Sequence, residues 1–284
     1  MKIFITGAAG MVGRALREFC EANGDTVFAY DHGKLDIANA EDVWRTVDRT
    51  RPDAVINCAA WTNVDGCESD AERAFAANAR GPENLAVASR DANAVFVTIS
   101  TDYVFDGTKE GFYTQEDEPN PQSVYGRAKL EGERCSTLAY DRSIVVRTGY
   151  IFGRGGNNFL STVVERALKG EKLKAITDTY GTPTYAIDLA ERLRKLAELD
   201  VPGIYHVVNS GPGVSFEEFT RKAVALIGNS EAVVEPISSD TLNRPAPRPR
   251  NSRLRCLRSE KIGLAPLQHW ESALEEFIKI RVHP

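Results

Sequence analysis

The sequence predicts an α/β protein, a doubly wound parallel sheet with a smaller C-terminal lobe. Three observations carry this. Short apolar runs recur at residues 2–6, 26–30, 54–60, 94–99 and 143–147, with helical spacing of apolar residues between them. That is the pattern of strands buried on both faces and joined by crossover helices. The first run enters the turn Gly7-Ala8-Ala9-Gly10-Met11-Val12-Gly13, which in that context opens a Rossmann-type sheet. Beyond about residue 150 the alternation weakens. The first domain is therefore expected over residues 1–150 and the lobe over 151–284, with about 178–208 returning to the first domain.

Each element has a local reason. Lys2 to Thr6 is the first strand. Gly7, Gly10 and Gly13 allow a tight turn, close approach of a pyrophosphate and close packing of the helix Val12 to Ala22. The helix N-terminus offers N–H groups and positive dipole to phosphates. The strand Thr26 to Tyr30 ends at Asp31, near the ~20-residue spacing at which an acid meets the adenosine ribose. A carboxylate there opposes a 2′-phosphate, whereas Arg14 and Lys34 tolerate one, so the choice between NADPH and NADH stays open. Asp36 can cap the helix Ala40 to Arg49 or reach the adenine amino group. The run Ala54 to Ala60 is small enough at its end for a cofactor to lie along the backbone, with Trp61 beyond it and a helix from Ala71 to Ser89 after that.

The central stretch is Ser100-Thr101-Asp102-Tyr103-Val104-Phe105-Asp106-Gly107. Thr101 follows a buried strand, so its hydroxyl stands where open α/β sheets bind ligands and can donate to a carbonyl. Downstream, Tyr125 and Lys129 are one helical turn apart on one face. An ammonium there favours the phenolate and lowers the phenol's pKa from ~10, making an acid–base group for neutral pH. The same spacing also suits a solvated helix face. The nucleotide-binding turn upstream tips the balance toward chemistry.

Residues 107–122 form a long acidic loop before the Tyr125 helix, which runs to about Leu138. Ser143 to Arg147 is a strand and Leu160 to Lys169 a helix. A helix opens at Thr182-Pro183 and reaches about Leu199, Gly203 to Val208 is a strand, and Phe216 to Leu226 is an amphipathic helix. Arg244, Arg248 and Arg250 crowd a proline-stiffened loop. They suit a diphosphate by charge and fork geometry, or a solvated basic loop.

Composition narrows the partners. The 284 residues are 42% hydrophobic and 26% charged, with net charge -5 and no basic run, which argues against nucleic acid. No apolar stretch approaches the ~20 residues of a membrane span, and the N-terminal apolar run is too short for a signal peptide. Five cysteines without a Cys-x-x-Cys read as free thiols in a reducing cytoplasm. No His, Cys, Asp or Glu cluster has metal-ligand spacing, so no catalytic metal is expected. Monomer and homodimer both stay open.

The glycine turn, Asn57-Cys58-Ala59-Ala60, the Ser100 to Gly107 segment, Tyr125 and Lys129 with Leu130-Glu131-Gly132-Glu133, and Arg147-Thr148 resemble the extended short-chain dehydrogenase/reductases. More narrowly, they are similar to the family of dTDP-4-dehydrorhamnose reductases. Asn157-Asn158-Phe159, Pro183-Thr184, Arg248 to Ser252 and the closing Trp270 helix extend the resemblance over nearly the whole chain. It implies NADPH or NADH as cofactor, a dTDP-linked 4-keto-6-deoxysugar as substrate, and reduction of its C4 ketone.

By position, the resemblance makes Tyr125 the proton donor. Lys129 tunes it and holds the nicotinamide ribose, and Thr101 polarises the carbonyl. Gly7, Gly10, Met11, Val12 and Gly13 serve the pyrophosphate, and Asp31, Asp36 and Ile37 the adenosine. Ala59, Ala60, Trp61 and Ser100 line the cofactor. Thr101, Asp102, Tyr150, Asn158 and Arg248 meet the sugar nucleotide. In that family Tyr150 is usually Trp and Gly149 usually Ser, so the pocket wall is altered here. Other readings stay open: a 4-ketoreductase or an epimerase for another nucleotide sugar, or a non-catalytic regulatory subunit of the methionine adenosyltransferase type.

Overall fold

A computed structural model describes residues 1–229 and 232–282. Its first half alternates β1 (Lys2–Thr6), α1 (Met11–Ala22), β2 (Thr26–Tyr30), α2 (Ala40–Thr50) and β3 (Ala54–Asn57). Then come α3 (Val64–Ser69), α4 (Ala71–Phe75), α5 (Gly81–Asp91), β4 (Val95–Thr101), α6 (Val124–Ala139) and β5 (Ser143–Thr148). The second half holds β6 (Ile151–Phe152), α7 (Phe159–Leu168), β7 (Leu173–Ile176), β8 (Tyr180–Gly181), β9 (Thr184–Tyr185), α8 (Ala186–Leu199) and β10 (Gly203–His206). It closes with β11 (Asn209–Ser210), β12 (Val214–Ser215), α9 (Phe216–Leu226), β13 (Val234–Ile237), β14 (Leu267–His269) and α10 (Trp270–Val282).

Six strands form one sheet in the order β10-β5-β4-β3-β1-β2, all parallel. Side chains alternate across it, as strand geometry requires. Ile3, Ile5, Ile56, Val97 and Val146 pack against α1 and α8. Phe4, Val55 and Phe96 face Val43, Val47 and Leu85 of α2 and α5. Strand order reverses between β1 and β3, so their C-terminal ends part there and leave a crevice.

The second half contributes to both bodies. Helix α8 packs on α1, and β10 pairs with β5. The remaining strands form two-stranded pairs, β6 with β9, β7 with β13, β8 with β12 and β11 with β14. Their core is Phe152, Leu160, Phe219, Trp270 and Phe277. Among the described residues no helix is long and apolar enough to cross a membrane.

Some elements differ from the sequence expectation. The run Ala54 to Ala60 pairs only to Asn57, whose side chain ties the ends of β1 and β3 to the middle of β4. It accepts from Thr6 Oγ1 at 2.6 Å, donates to Thr98 Oγ1 at 3.0 Å, and accepts from Ala59 N. The helix expected over Ala71 to Ser89 is broken by a π turn, Ala76–Arg80. That turn directs Asn78 inward, where its amide clasps Trp61 N and O at 2.9 and 3.0 Å. The separate helix α3 was not anticipated. Helix α2 is capped by Asn39, which accepts from Asp42 N, while Asp36 accepts from Ala38 N. Helix α8 begins only at Ala186, after β9.

Candidate active site

Three cavities form a continuous cleft at the sheet's C-terminal edge. The first, about 580 Å³, has Gly7, Gly10, Asp31, Asp36 and Ile37 on one side and Ala59, Ala60 and Trp61 opposite. The second, about 480 Å³, shares Gly10, Ala59 and Ala60 with it. It gathers Thr101, Tyr125 and Lys129 with Met11, Val12, Gly13 and Ser100, and also Asp102, Tyr150 and Asn158. The third, about 540 Å³, shares Tyr103, Tyr150 and Phe216 with the second and carries Arg244, Arg248 and Arg250.

The glycine turn is shaped for a dinucleotide. Gly7 has φ +65°, and a Cβ there would stand 2.6 Å from the Ala59 nitrogen. A Cβ on Gly13 would stand 2.2 Å from the Gly7 carbonyl oxygen. Both bring backbone close to backbone and leave the start of α1, capped by Gly10, facing the cleft. The cradle fits a pyrophosphate, and Asp31 on the wall fits a ribose. Arg14, however, donates to the Gly155 carbonyl at 2.8 Å, which joins the lobe to α1. Lys34 lies 3.9 Å from Asp31.

Tyr125 and Lys129 share one face of α6, whose N-cap Ser123 accepts from Gly126 N. The Lys129 ammonium donates to the Ile99 carbonyl at 2.6 Å. Burial pushes it down to about 8, opposed by Glu133. Burial also raises the Tyr125 phenol, with the Thr101 hydroxyl as the main opposing influence. The lowering expected from Lys129 is not found among the main influences on the phenol, and desolvation prevails. The phenol keeps its proton at neutral pH and stands as a donor.

Thr101 Oγ1 donates to Asp102 Oδ1 at 3.0 Å and accepts from Tyr103 N. Burial pushes the Asp102 carboxyl up to about 6. Tyr150 has a positive φ of 46° and packs on Phe216 with centroids 4.6 Å apart. Asn158 lines the cavity, but its amide caps α7 at Ser161 N and donates to the Ile151 carbonyl. Arg248 grips Asp65 through two bonds of 2.8 and 2.7 Å, which hold that carboxyl down at about 2. Arg250 pairs with Asp240 and Asp178. Of the three arginines, only Arg244 makes no ion pair among the described residues.

Several supporting residues escaped sequence reasoning. Glu133, four residues beyond Lys129, forms a fully buried pair with Arg147 at 2.7 Å and accepts from Ser100 Oγ. This fixes α6 to β4 and β5. The signal was present: an arginine inside an apolar strand needs a buried partner. Arg73 stacks over Trp61 at 4.5 Å and lines the first cavity. Phe216 reaches the cleft from the lobe and carried no sequence signal.

A glycine-turn Rossmann sheet whose crevice collects Thr101, a half-buried Tyr125 and Lys129 defines an NAD(P)-dependent oxidoreductase of the short-chain dehydrogenase/reductase type. Comparison with known proteins narrows this. The family model described as RmlD substrate binding domain matches residues 1–282. A dTDP-4-dehydrorhamnose reductase of Streptomyces griseus is 39% identical over 278 residues, covering 96% of this chain and 91% of that protein. The crystal structure of a dTDP-4-dehydrorhamnose reductase from Clostridium acetobutylicum superposes with a TM-score of 0.94 at 37% identity, over 99% of this chain and 100% of that one. One from Bacillus anthracis, solved in complex with NADP, gives 0.93 at 34% identity, over 98% and 99%. The chain belongs to the RmlD family, that of the dTDP-4-dehydrorhamnose reductases.

Proposed function

We propose that this protein reduces the C4 ketone of dTDP-4-dehydro-L-rhamnose to dTDP-L-rhamnose with NADPH or NADH. One observation carries the reading: Thr101, Tyr125 and Lys129 converge on a cavity that opens on one side to the dinucleotide cradle and on the other to the arginine-lined wall. The reduced nicotinamide supplies the hydride when bound. The chain does the rest. Gly7, Gly10, Met11, Val12 and Gly13 seat the pyrophosphate. Asp31, Asp36 and Ile37 seat the adenosine, and Ala59, Ala60, Trp61 and Ser100 flank the cofactor. Thr101 donates to the ketone oxygen, Tyr125 gives it a proton, and Lys129 orients the ribose. Asp102, Tyr150, Asn158 and Arg248 shape the sugar-nucleotide side, with Arg244 the free positive charge for a diphosphate.

The lobe formed by residues 151–185 and from 207 onward is the substrate side, and the remainder is the cofactor domain. Five free thiols support a reducing cytoplasm as its location. A second reading, another nucleotide-linked 4-keto sugar, draws on Gly149 and Tyr150, which remodel the wall facing Asp102. NADPH oxidation with a panel of dTDP- and GDP-linked 4-keto sugars separates the two. Fastest turnover should come with dTDP-4-dehydro-L-rhamnose. Preference for a different sugar favours the second reading, and inactivity with all of them rejects both.

A further inference from the structure

Arg73 is the one arginine or lysine lining the first cavity, where Gly7, Gly10, Asp31 and Asp36 also stand. It belongs to α4, whose N-cap Asp70 accepts from Arg73 N at 3.0 Å. Its guanidinium lies over the Trp61 ring, 4.5 Å from the centroid, and joins no ion pair among the described residues. The ring beneath it is fixed. Asn78 holds the Trp61 backbone at N and O, and a Cβ on Gly66 would stand 3.1 Å from the ring's Cζ2. A guanidinium set against a ring spends no N–H on the contact, so its donor fork stays available to an anion.

The other cations nearby are committed elsewhere. Arg14 donates to the Gly155 carbonyl at 2.8 Å, and Lys34 stands 3.9 Å from Asp31. Neither lines the cavity, whereas the carboxylates of Asp31 and Asp36 do. A cofactor pyrophosphate adds further negative charge to that cavity, against which the start of α1 offers about half a positive one. Backbone N–H groups can bond phosphate oxygens but cannot balance that charge. A side-chain cation is needed, and Arg73 is the one in place.

We propose that Arg73 is a cofactor-binding residue, its guanidinium pairing with the pyrophosphate from the Trp61 side of the cleft. This rests on reading the cleft as a dinucleotide site. Trp61 is then a platform as well as a wall. It holds the guanidinium in place, so less side-chain freedom is lost when the phosphates arrive. The ribose 2′ position belongs to Asp31, at the end of β2 on the opposite wall, so the Arg73 contact is common to NADH and NADPH. Arg73 lies outside both the glycine turn and the central motif, and neither pointed to it.

The test is calorimetric titration of the full chain with NADP+ and with NAD+, which needs no turnover. Arg73→Gln keeps a planar group on Trp61 and deletes the charge. A charged hydrogen bond at an exposed site falls at the low end of the range for such contacts, so both dissociation constants should rise about 10-fold, and by the same factor. Arg73→Lys keeps the charge without the fork and should fall between wild type and Arg73→Gln. The gap between wild type and Arg73→Gln should narrow at about 0.5 M salt, because the contact is electrostatic and open to solvent. In turnover the effect should fall on the KM for the cofactor rather than on kcat.

Equal affinities in wild type and Arg73→Gln overturn the proposal. A loss confined to NADP+ overturns it too, because it would put Arg73 at the 2′-phosphate. A loss that salt does not reduce would make Arg73 a packing residue on Trp61 and overturns it as well. Each of these results leaves the dinucleotide site standing. A wild type that binds neither nucleotide rejects that site, and the proposal with it.

Discussion

Tyr125→Phe removes the phenol oxygen and leaves the ring edge-on to Tyr103, 6.0 Å between centroids. Turnover should drop at least ~10²-fold, the usual worth of a lost general acid, with thermal unfolding unchanged. Equal turnover in the two proteins would remove Tyr125 from the reaction. For Lys129 the sign follows from burial. Its ammonium is charged below about 8 and loses its proton above. The KM for NADPH should therefore rise as pH passes 8 in wild type, and be high and flat in Lys129→Met. At the adenosine end, Asp31→Ala should move the kcat/KM ratio toward NADPH, and an unmoved ratio would take Asp31 away from the ribose. The chemistry of these side chains was legible from spacing and residue type. The direction of the Tyr125 shift was not, because it depends on how deeply the phenol is desolvated, and burial is a property of the packed cleft.

Helix α6 carries two members of the site and is held by a third residue outside the reacting group. Glu133→Ala would leave Arg147 charged and buried without its partner, at a cost of about 3–5 kcal/mol. Urea unfolding measures this; a loss below about 1 kcal/mol would fit only a surface pair. The periodicity of the chain disclosed α1, α2, α6 and most of the sheet, because amphipathic spacing and apolar runs reflect the layers directly. It did not disclose the π turn at Ala76–Arg80. Apolar residues continue through that stretch, and the break serves one polar contact, Asn78 to Trp61. The arginine loop was readable as basic, but not its pairing. Asp65 and Arg248 are far apart in the chain and meet only in the fold.

At the scale of the molecule, the cleft lies where strand order reverses and the lobe leans over the sheet. Strand β10 seals that sheet's edge through His206, which stands opposite Arg147. Burial and the nearby Arg147 push the His206 imidazole down to about 3. The unfolded chain binds the proton near the ordinary ~6.5 and the folded chain refuses it. His206 therefore takes nothing from stability above pH 6.5 and destabilises progressively as pH falls below it. Between pH 6 and 4 this amounts to at most about 1.4 kcal/mol per pH unit. His206→Gln should flatten that part of the stability profile, and an unchanged slope would place the acid sensitivity elsewhere. The central claim is that this cleft delivers hydride and proton across the C4 ketone of a dTDP-linked sugar. The most direct measurement follows deuterium from nicotinamide-deuterated NADPH into product by NMR and mass spectrometry, in wild type and Tyr125→Phe. One deuterium at sugar C4 of dTDP-L-rhamnose, formed at least ~10²-fold more slowly in the variant, is the predicted result. Deuterium at another carbon, no incorporation, or equal rates in the two proteins would contradict it.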